Sequence, residues 1–343
     1  MSNKANTVRD VGERGLIRWF QNLITPYDKA LLTGMEDAVA IPVNDKALVV
    51  NSDMLVASTD VLPGMTADEI AWKAGVMGLS DLAAKGAIPL GMVVSLGLPA
   101  DTKVNFAAAL VGGLNFVSRE HDTYYLGGDT NQCLELVIDC TAVGLVDQNQ
   151  LIRRKGAKPG DLIAVTGEFG YSGAFFEAVL RGHKKPTKIV EKIREKALRP
   201  RAHIREGQAL AKAGAVSAAI DSSDGLAWSL HELSAASQVG IRIDALPIPP
   251  ICVEFATSND LDPVSLALYG GEEFELVVTV PPNRWKKAQE SVQKSGGNLI
   301  RIGKVVKEPE KILVIDDDHR IIKPIGYEHF SKKEKWRARG EFR

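Results

Sequence analysis

Six aspartates stand where regular elements begin or end, most of them beside Gly, Ser or Thr: Asp37 in MEDA, Asp53 in NSD, Asp81 in LSDLAA, Asp129 in GGDT, and Asp221 and Asp224 in DSSDGL. One such Asp reads as an Asx turn or a helix N-cap. The whole set, with no His or Cys in it, reads as a group of hard oxygen ligands, which favours magnesium over zinc or copper. Carboxylates alone would repel a polyphosphate, whereas carboxylates with magnesium ions between them make a phosphate site. Asp221-Ser-Ser-Asp-Gly-Leu226 follows a short expected strand and opens an expected helix. The first amides of such a helix lack internal acceptors and suit phosphate oxygens, and Ser223 adds a hydroxyl.

Two further groups leave alternatives open. Arg154, in the basic stretch Arg153-Arg-Lys-Gly-Ala-Lys-Pro-Gly160, is either a contact to a nucleotide phosphate or base, or a solvated linker charge. Glu272 and Glu273, directly before an apolar strand, are either edge gatekeepers or substrate ligands. Other chemistries lack their residues. No Gly-Lys-[Ser/Thr] occurs, Gly167-x-x-Gly170-x-x-Gly173 lacks the dinucleotide spacing, and His231-Glu232 has no second His at helical spacing. A Ser-His-Asp hydrolase lacks its nucleophile elbow.

Elements must hold these residues in place. An amphipathic packing helix is expected from Gly12 to Ile24, and a hairpin from AVAIPV and ALVVNSDMLV about Asn44-Asp45. Thr66-Ala-Asp-Glu69 has capping-box spacing, so a helix should start there and run to Lys85. On it Ile70, Ala74 and Met77 mark one face, and the next residue of that face is Asp81, a carboxylate continuing an apolar stripe. Its many small residues predict close backbone approach to another element. Further strands are expected at Met92–Leu98 and Leu134–Val146, with Leu126-Gly-Gly-Asp-Thr130 a loop before the second. The turn-rich stretch after residue 150 divides the chain into two domains, one over 1–150 and an α/β domain over 151–343.

The chain has 343 residues, 42 Lys+Arg against 43 Asp+Glu, and 45% hydrophobic content, which fits an ordinary globular protein and argues against nucleic-acid or membrane-surface binding. Its three cysteines have neither metal-ligand nor staple spacing, and no apolar run is long enough for a span, so a reducing, cytoplasmic setting is expected.

The ordered string of motifs, from Gly12 to Phe330, resembles the thiamine-monophosphate kinase family of the aminoimidazole-ribotide synthetase-like superfamily. The resemblance implies an acidic pair at Glu36 and Asp37, metal ligands at Asn51, Ser52, Asp53, Asp81, Asp129, Asp221 and Asp224, and ATP contacts from Gly127, Gly128, Arg154 and Ser223. It also implies substrate contacts from Glu272 and from Tyr327 in GYEHF, with Asp60 standing where many members place a histidine. The implied fold is α/β (α+β), two-domain, with the first domain's strands forming a barrel across a homodimer. The implied activity is Mg2+- and ATP-dependent phosphorylation of thiamine monophosphate to thiamine diphosphate by in-line transfer. A related kinase acting on another small substrate, such as α-ribazole, and a non-catalytic nucleotide-sensing protein are the alternatives. Glu36, and Phe274 in place of the usual tyrosine, are further departures from the family pattern.

Overall fold

The computed structural model describes residues 7–34, 36–183, 186–308, 312–314 and 320–330. Met35 of the acidic-pair motif, Lys184 and Lys185 of the charged linker, and the charged tail 331–343 lie outside the described residues.

The first half builds a five-stranded sheet from β1 (Val39–Val43), β2 (Lys46–Val56), β3 (Ile88–Leu98), β4 (Tyr125–Gln132) and β5 (Val137–Asp147), in the order β1-β2-β5-β3-β4. The hairpin of β1 and β2 turns at Asn44, whose φ of 54° is one that Asn tolerates. β2 pairs antiparallel with β5 along its whole length, from Lys46 opposite Asp147 to Val56 opposite Val137. Because side chains alternate along a strand, Asn51 and Asp53 share a face with buried Ala47, Val49 and Leu55, and Ser52 points to the other face.

The Ala67–Ala84 helix covers that first face. Its capping box forms as the spacing requires: Thr66 Oγ1 accepts from the Glu69 N–H (3.3 Å), and Glu69 Oε2 accepts from the Thr66 N–H (2.8 Å). Such a cap contributes about 1 kcal/mol. Fourteen of the helix's 18 residues are buried, so any charge on it must find a partner inside the protein. The expected close approach is to the Ile204–Ala213 helix, where a Cβ on Gly207 would lie 2.1 Å from the Ala83 carbonyl oxygen. The two halves therefore share a core, with Leu79, Leu82 and Ala83 in one cluster with Leu210, Leu276 and Val278.

The second half builds a seven-stranded sheet, β12-β11-β8-β10-β6-β9-β7, from β6 (Leu162–Val165), β7 (Ala218–Asp221), β8 (Gly240–Ile243), β9 (Leu276–Val280), β10 (Ile300–Val306), β11 (Ile312–Val314) and β12 (Arg320–Ile321). Among the described residues no helix is long and apolar enough to cross a membrane.

Three expectations are corrected. Among the described residues no sheet closes into the implied barrel: both sheets are open, and the five-stranded one ends at β1 on one side and β4 on the other. The Leu126-Gly-Gly-Asp-Thr130 segment is not a loop but the body of β4, parallel to β3, with Gly127 to Asp129 opposite Val93 to Ser95. Glycine makes that pairing possible, since a Cβ on Gly128 would lie 1.7 Å from the Val94 carbonyl oxygen. The N-terminal helix forms at Glu13–Gln21, with Val8–Val11 a separate short helix before Gly12 (φ 73°), but it does not pack as expected, since neither helix buries a residue. Trp19, Phe20, Leu23 and Ile24 are exposed, because periodicity reveals an apolar stripe without saying what covers it.

Candidate active site

The site forms where the Ala67–Ala84 helix lies between β2 and the end of β7. Carboxylate oxygens of Asp37, Asp81 and Asp221 come within 4.8 Å of one another. Asn51 Nδ2 donates to Asp81 (2.8 Å) and to Asp53 (3.0 Å), and Ser80 Oγ donates to Asp221 (2.8 Å). Crowding carboxylates away from water costs free energy, and the titration of the group shows it. Burial, with Asp53 and Asp221 nearby, pushes Asp81 well above the usual carboxylate range. Burial and Asp37 raise Asp221 to about 7, and burial raises Asp53. Burial would raise Asp37 as well, but Lys85 and Arg154 hold it below its ordinary value.

Those two cations face the cluster from one side. Arg154 Nε donates to Asp37 (2.8 Å), and its backbone N–H donates to Glu36 (3.1 Å). Lys85, fully buried, pairs with Glu36 and with Asp37 (2.7 Å). Asn51 Oδ1 is buried with no hydrogen-bond partner among the described residues. An orphaned oxygen beside three converging carboxylates is a donor set suited to a hard divalent cation, so the residues fit magnesium.

Beside the cluster lies a cavity of about 190 Å³ lined by Arg154, Asp221, Ser223 and Asp224 from the expected site, and by Arg14 and Trp228. Asp224 receives a hydrogen bond from Arg14 (3.2 Å).

A second constellation joins the two halves. Lys73 Nζ, on the Ala67–Ala84 helix, donates to Glu272 (2.5 Å) and to the Asp60 carbonyl (2.6 Å). Glu272 holds φ at 66°, a left-handed conformation that costs a non-glycine residue about 1 kcal/mol or more. The Asp60 carboxylate accepts from the Val56 N–H (2.8 Å) and Thr59 Oγ1 (2.9 Å), so it stabilises its own turn. Tyr327 is 41% exposed, and its N–H donates to the Asp224 carbonyl (3.2 Å). Burial, with Asp60 and Glu272 close by, pushes its phenol up to about 12.

β9 runs between β6 and β7, so the gatekeeper alternative for Glu272 and Glu273 falls: no edge is there to guard. Glu273 instead accepts from the Gly170 (2.8 Å) and Ser172 (3.0 Å) N–H groups at the start of the Tyr171–Leu180 helix. Phe274 is 2% exposed in the shared core, where a hydroxyl would need a partner.

The expected residues do not all converge. Ser52 Oγ donates to Asp139 (2.5 Å) on the sheet's far face. Asp129 is exposed on β4 and accepts from the Thr130 N–H (2.8 Å), and no hydrogen bond or ion pair among the described residues joins it, Gly127 or Gly128 to the aspartate cluster. Sequence reasoning missed Lys73, Lys85 and Arg14. Lys73 carried a usable signal, since it is a charge on the same small-residue, apolar helix that made Asp81 conspicuous.

An open five-stranded sheet and a seven-stranded sheet sharing one core, with aspartates converging between them, define the AIR synthase related class: residues 35–146 match its N-terminal domain and residues 158–316 its C-terminal domain. Relatives within that class are more specific. The chain is 37% identical over 318 residues to a thiamine-monophosphate kinase of Pyrococcus horikoshii, covering 92% of this chain and 96% of that one. It is 32% identical to a thiamine-monophosphate kinase of Escherichia coli, covering 86% and 91%. The chain belongs to the thiamine-monophosphate kinase family. Among solved structures, thiamine monophosphate kinase from Aquifex aeolicus superposes with a TM-score of 0.76 at 26% identity, covering 90% of this chain and 98% of that one. AaThiL complexed with AMPPCP and TMP superposes at 0.82 with 25% identity, covering 96% and 100%. A hydrogenase maturation protein of Escherichia coli, 22% identical with a TM-score of 0.67 over 82% and 87%, shares the fold alone.

Proposed function

We propose that this chain phosphorylates thiamine monophosphate to thiamine diphosphate with ATP, by direct in-line transfer. The observation that carries the reading is the convergence of Asp37, Asp81 and Asp221 beside the cavity lined by Arg154 and Ser223, in a chain of this family. Asp37, Asn51, Asp53, Asp81, Asp221 and Asp224 are the residues that would hold magnesium. When bound, magnesium neutralises charge on the transferred and leaving phosphate oxygens.

The chain's own residues do the rest by positioning. Arg154, already anchored by Asp37, presents a guanidinium to a phosphate, and Ser223 presents a hydroxyl on the same cavity wall. An acceptor phosphate with a second pKa near 6 is largely anionic at neutral pH, so no general base is required, in keeping with a site built from Asp, Asn, Arg and Ser. Glu272, Asp60 and Tyr327 form the substrate side, where an aromatic face beside the acceptor suits a cationic thiazolium. For Ser52, Gly127, Gly128 and Asp129 the reading rests on the family motifs alone.

We further propose a homodimer in the cytoplasm. Support comes from the sheet's outer face, where the large apolar side chains Met54, Ile88, Leu90, Val93 and Leu126 are all exposed, as at an interface.

The function is tested by assaying magnesium-dependent ATP consumption with thiamine monophosphate, thiamine and α-ribazole side by side. Consumption with thiamine monophosphate alone is expected. Consumption with α-ribazole in preference, or with none of the three, overturns the reading.

A further inference from the structure

The N-terminal helix Glu13–Gln21 buries no residue, yet it sends one side chain deep into the second half of the protein. Arg14 lies with its guanidinium carbon 3.7 Å from the centroid of the Trp228 ring, donates to Asp224 (3.2 Å) and pairs with Glu232. Its side chain is 19% exposed, and Glu13 and Ile17 of the same helix line the same cavity. A second tie holds the same turn in place, since Glu13 accepts from the His329 N–H (2.9 Å).

We propose that Arg14 is a further nucleotide-binding residue, a guanidinium carried by the N-terminal helix to the phosphates of ATP. This rests on the kinase reading above. The charge of the cavity argues for it: five carboxylates line the space, and the lining cations are Arg14 and Arg154. A polyphosphate entering it therefore meets two guanidinia, and without Arg14 the lining would keep Arg154, 3.7 Å from Glu232, as its remaining cation. The contact with Trp228 and the pairs with Asp224 and Glu232 hold the guanidinium in place, so little rotamer freedom remains to be lost when its donors engage phosphate oxygens. The two arginines are held differently. Arg154 is fixed to the fully buried side chain of Asp37, whereas Arg14 is held by Glu232 and by Asp224, whose side chain is 40% exposed. Arg14 is thus the cation held by the more accessible partner.

The test is calorimetric titration of the full-length chain, with magnesium present, by ATP and separately by adenosine, which lacks phosphates. Arg14→Ala should bind ATP at least about tenfold more weakly while binding adenosine like the wild type, as expected when a charge-assisted contact to phosphate is lost. Arg14→Lys, which keeps the charge without the planar fork, should fall between them. ATP affinity unchanged in Arg14→Ala, or an equal loss for ATP and adenosine, overturns the assignment and returns Arg14 to a structural role. A wild-type chain that binds no ATP overturns the kinase reading and this assignment together.

Discussion

At Asp81 the cost of the site is concentrated in one side chain. It continues an apolar helix face, shares space with Asp37 and Asp221, and is pushed well above the ordinary carboxylate range by burial and by its acidic neighbours. Neutralising it should relieve that repulsion. Asp81→Asn is therefore expected to melt at a higher temperature than the wild type in the absence of divalent cations, yet to lose turnover by about a hundredfold or more, the trade expected of a strained functional site. Differential scanning calorimetry and steady-state rates check the two halves; a variant that melts lower, or keeps its rate, counts against the cluster. Lys73 predicts the opposite sign. Lys73→Met leaves Glu272 without its partner, so it should raise KM for thiamine monophosphate by about tenfold while lowering stability by ~1 kcal/mol or more. Part of this scale was legible in the sequence, because an acid on an apolar stripe states its own anomaly. Ser52 was not legible as to face: its motif neighbours point one way and it points the other, a consequence of the strand's period of two.

The Ala67–Ala84 helix is the element on which both constellations depend, since it carries Lys73, Ser80 and Asp81 and docks on both halves. Its start was readable to the residue from the capping box, and its small residues announced a close neighbour. Which neighbour was not readable, because Gly207 is more than a hundred residues away in sequence. The docked helix opens at His203, whose Nε2 lies 2.8 Å from Glu275 and whose Nδ1 lies 3.4 Å from Glu206, close ionic approaches out of line for good hydrogen bonds. Burial works against the charged imidazole, but the two glutamates prevail and raise it to about 10. A group raised above its unfolded value, here 6.5, contributes stability that is complete below that pH and lost as pH climbs toward 10. Wild-type stability to urea should accordingly fall across that window, with His203→Gln flatter over the same range. Parallel slopes for the two would remove His203 from the account. The β4 strand shows the reverse failure, where glycines read as loop formers are what lets a strand lie close to its neighbour.

For the whole molecule, the sequence motifs conveyed two α/β halves and the kind of site between them, but the barrel that the resemblance implied does not form among the described residues. The outer face of the five-stranded sheet and the stripe of the N-terminal helix are both exposed in the single chain. Patterning shows only that an apolar surface exists; its partner lies outside the pattern. Sedimentation at micromolar concentration should give a homodimer, and Met54→Asp should shift it toward monomer. A stable wild-type monomer would remove the dimer proposal. The central claim, that this architecture transfers a phosphoryl group to thiamine monophosphate with magnesium, is tested most directly by following ATP and thiamine monophosphate with phosphorus NMR, with and without magnesium. The account predicts ADP and thiamine diphosphate in equal amounts, without orthophosphate, when magnesium is present. Orthophosphate in place of thiamine diphosphate, or transfer that proceeds equally without magnesium, would contradict it.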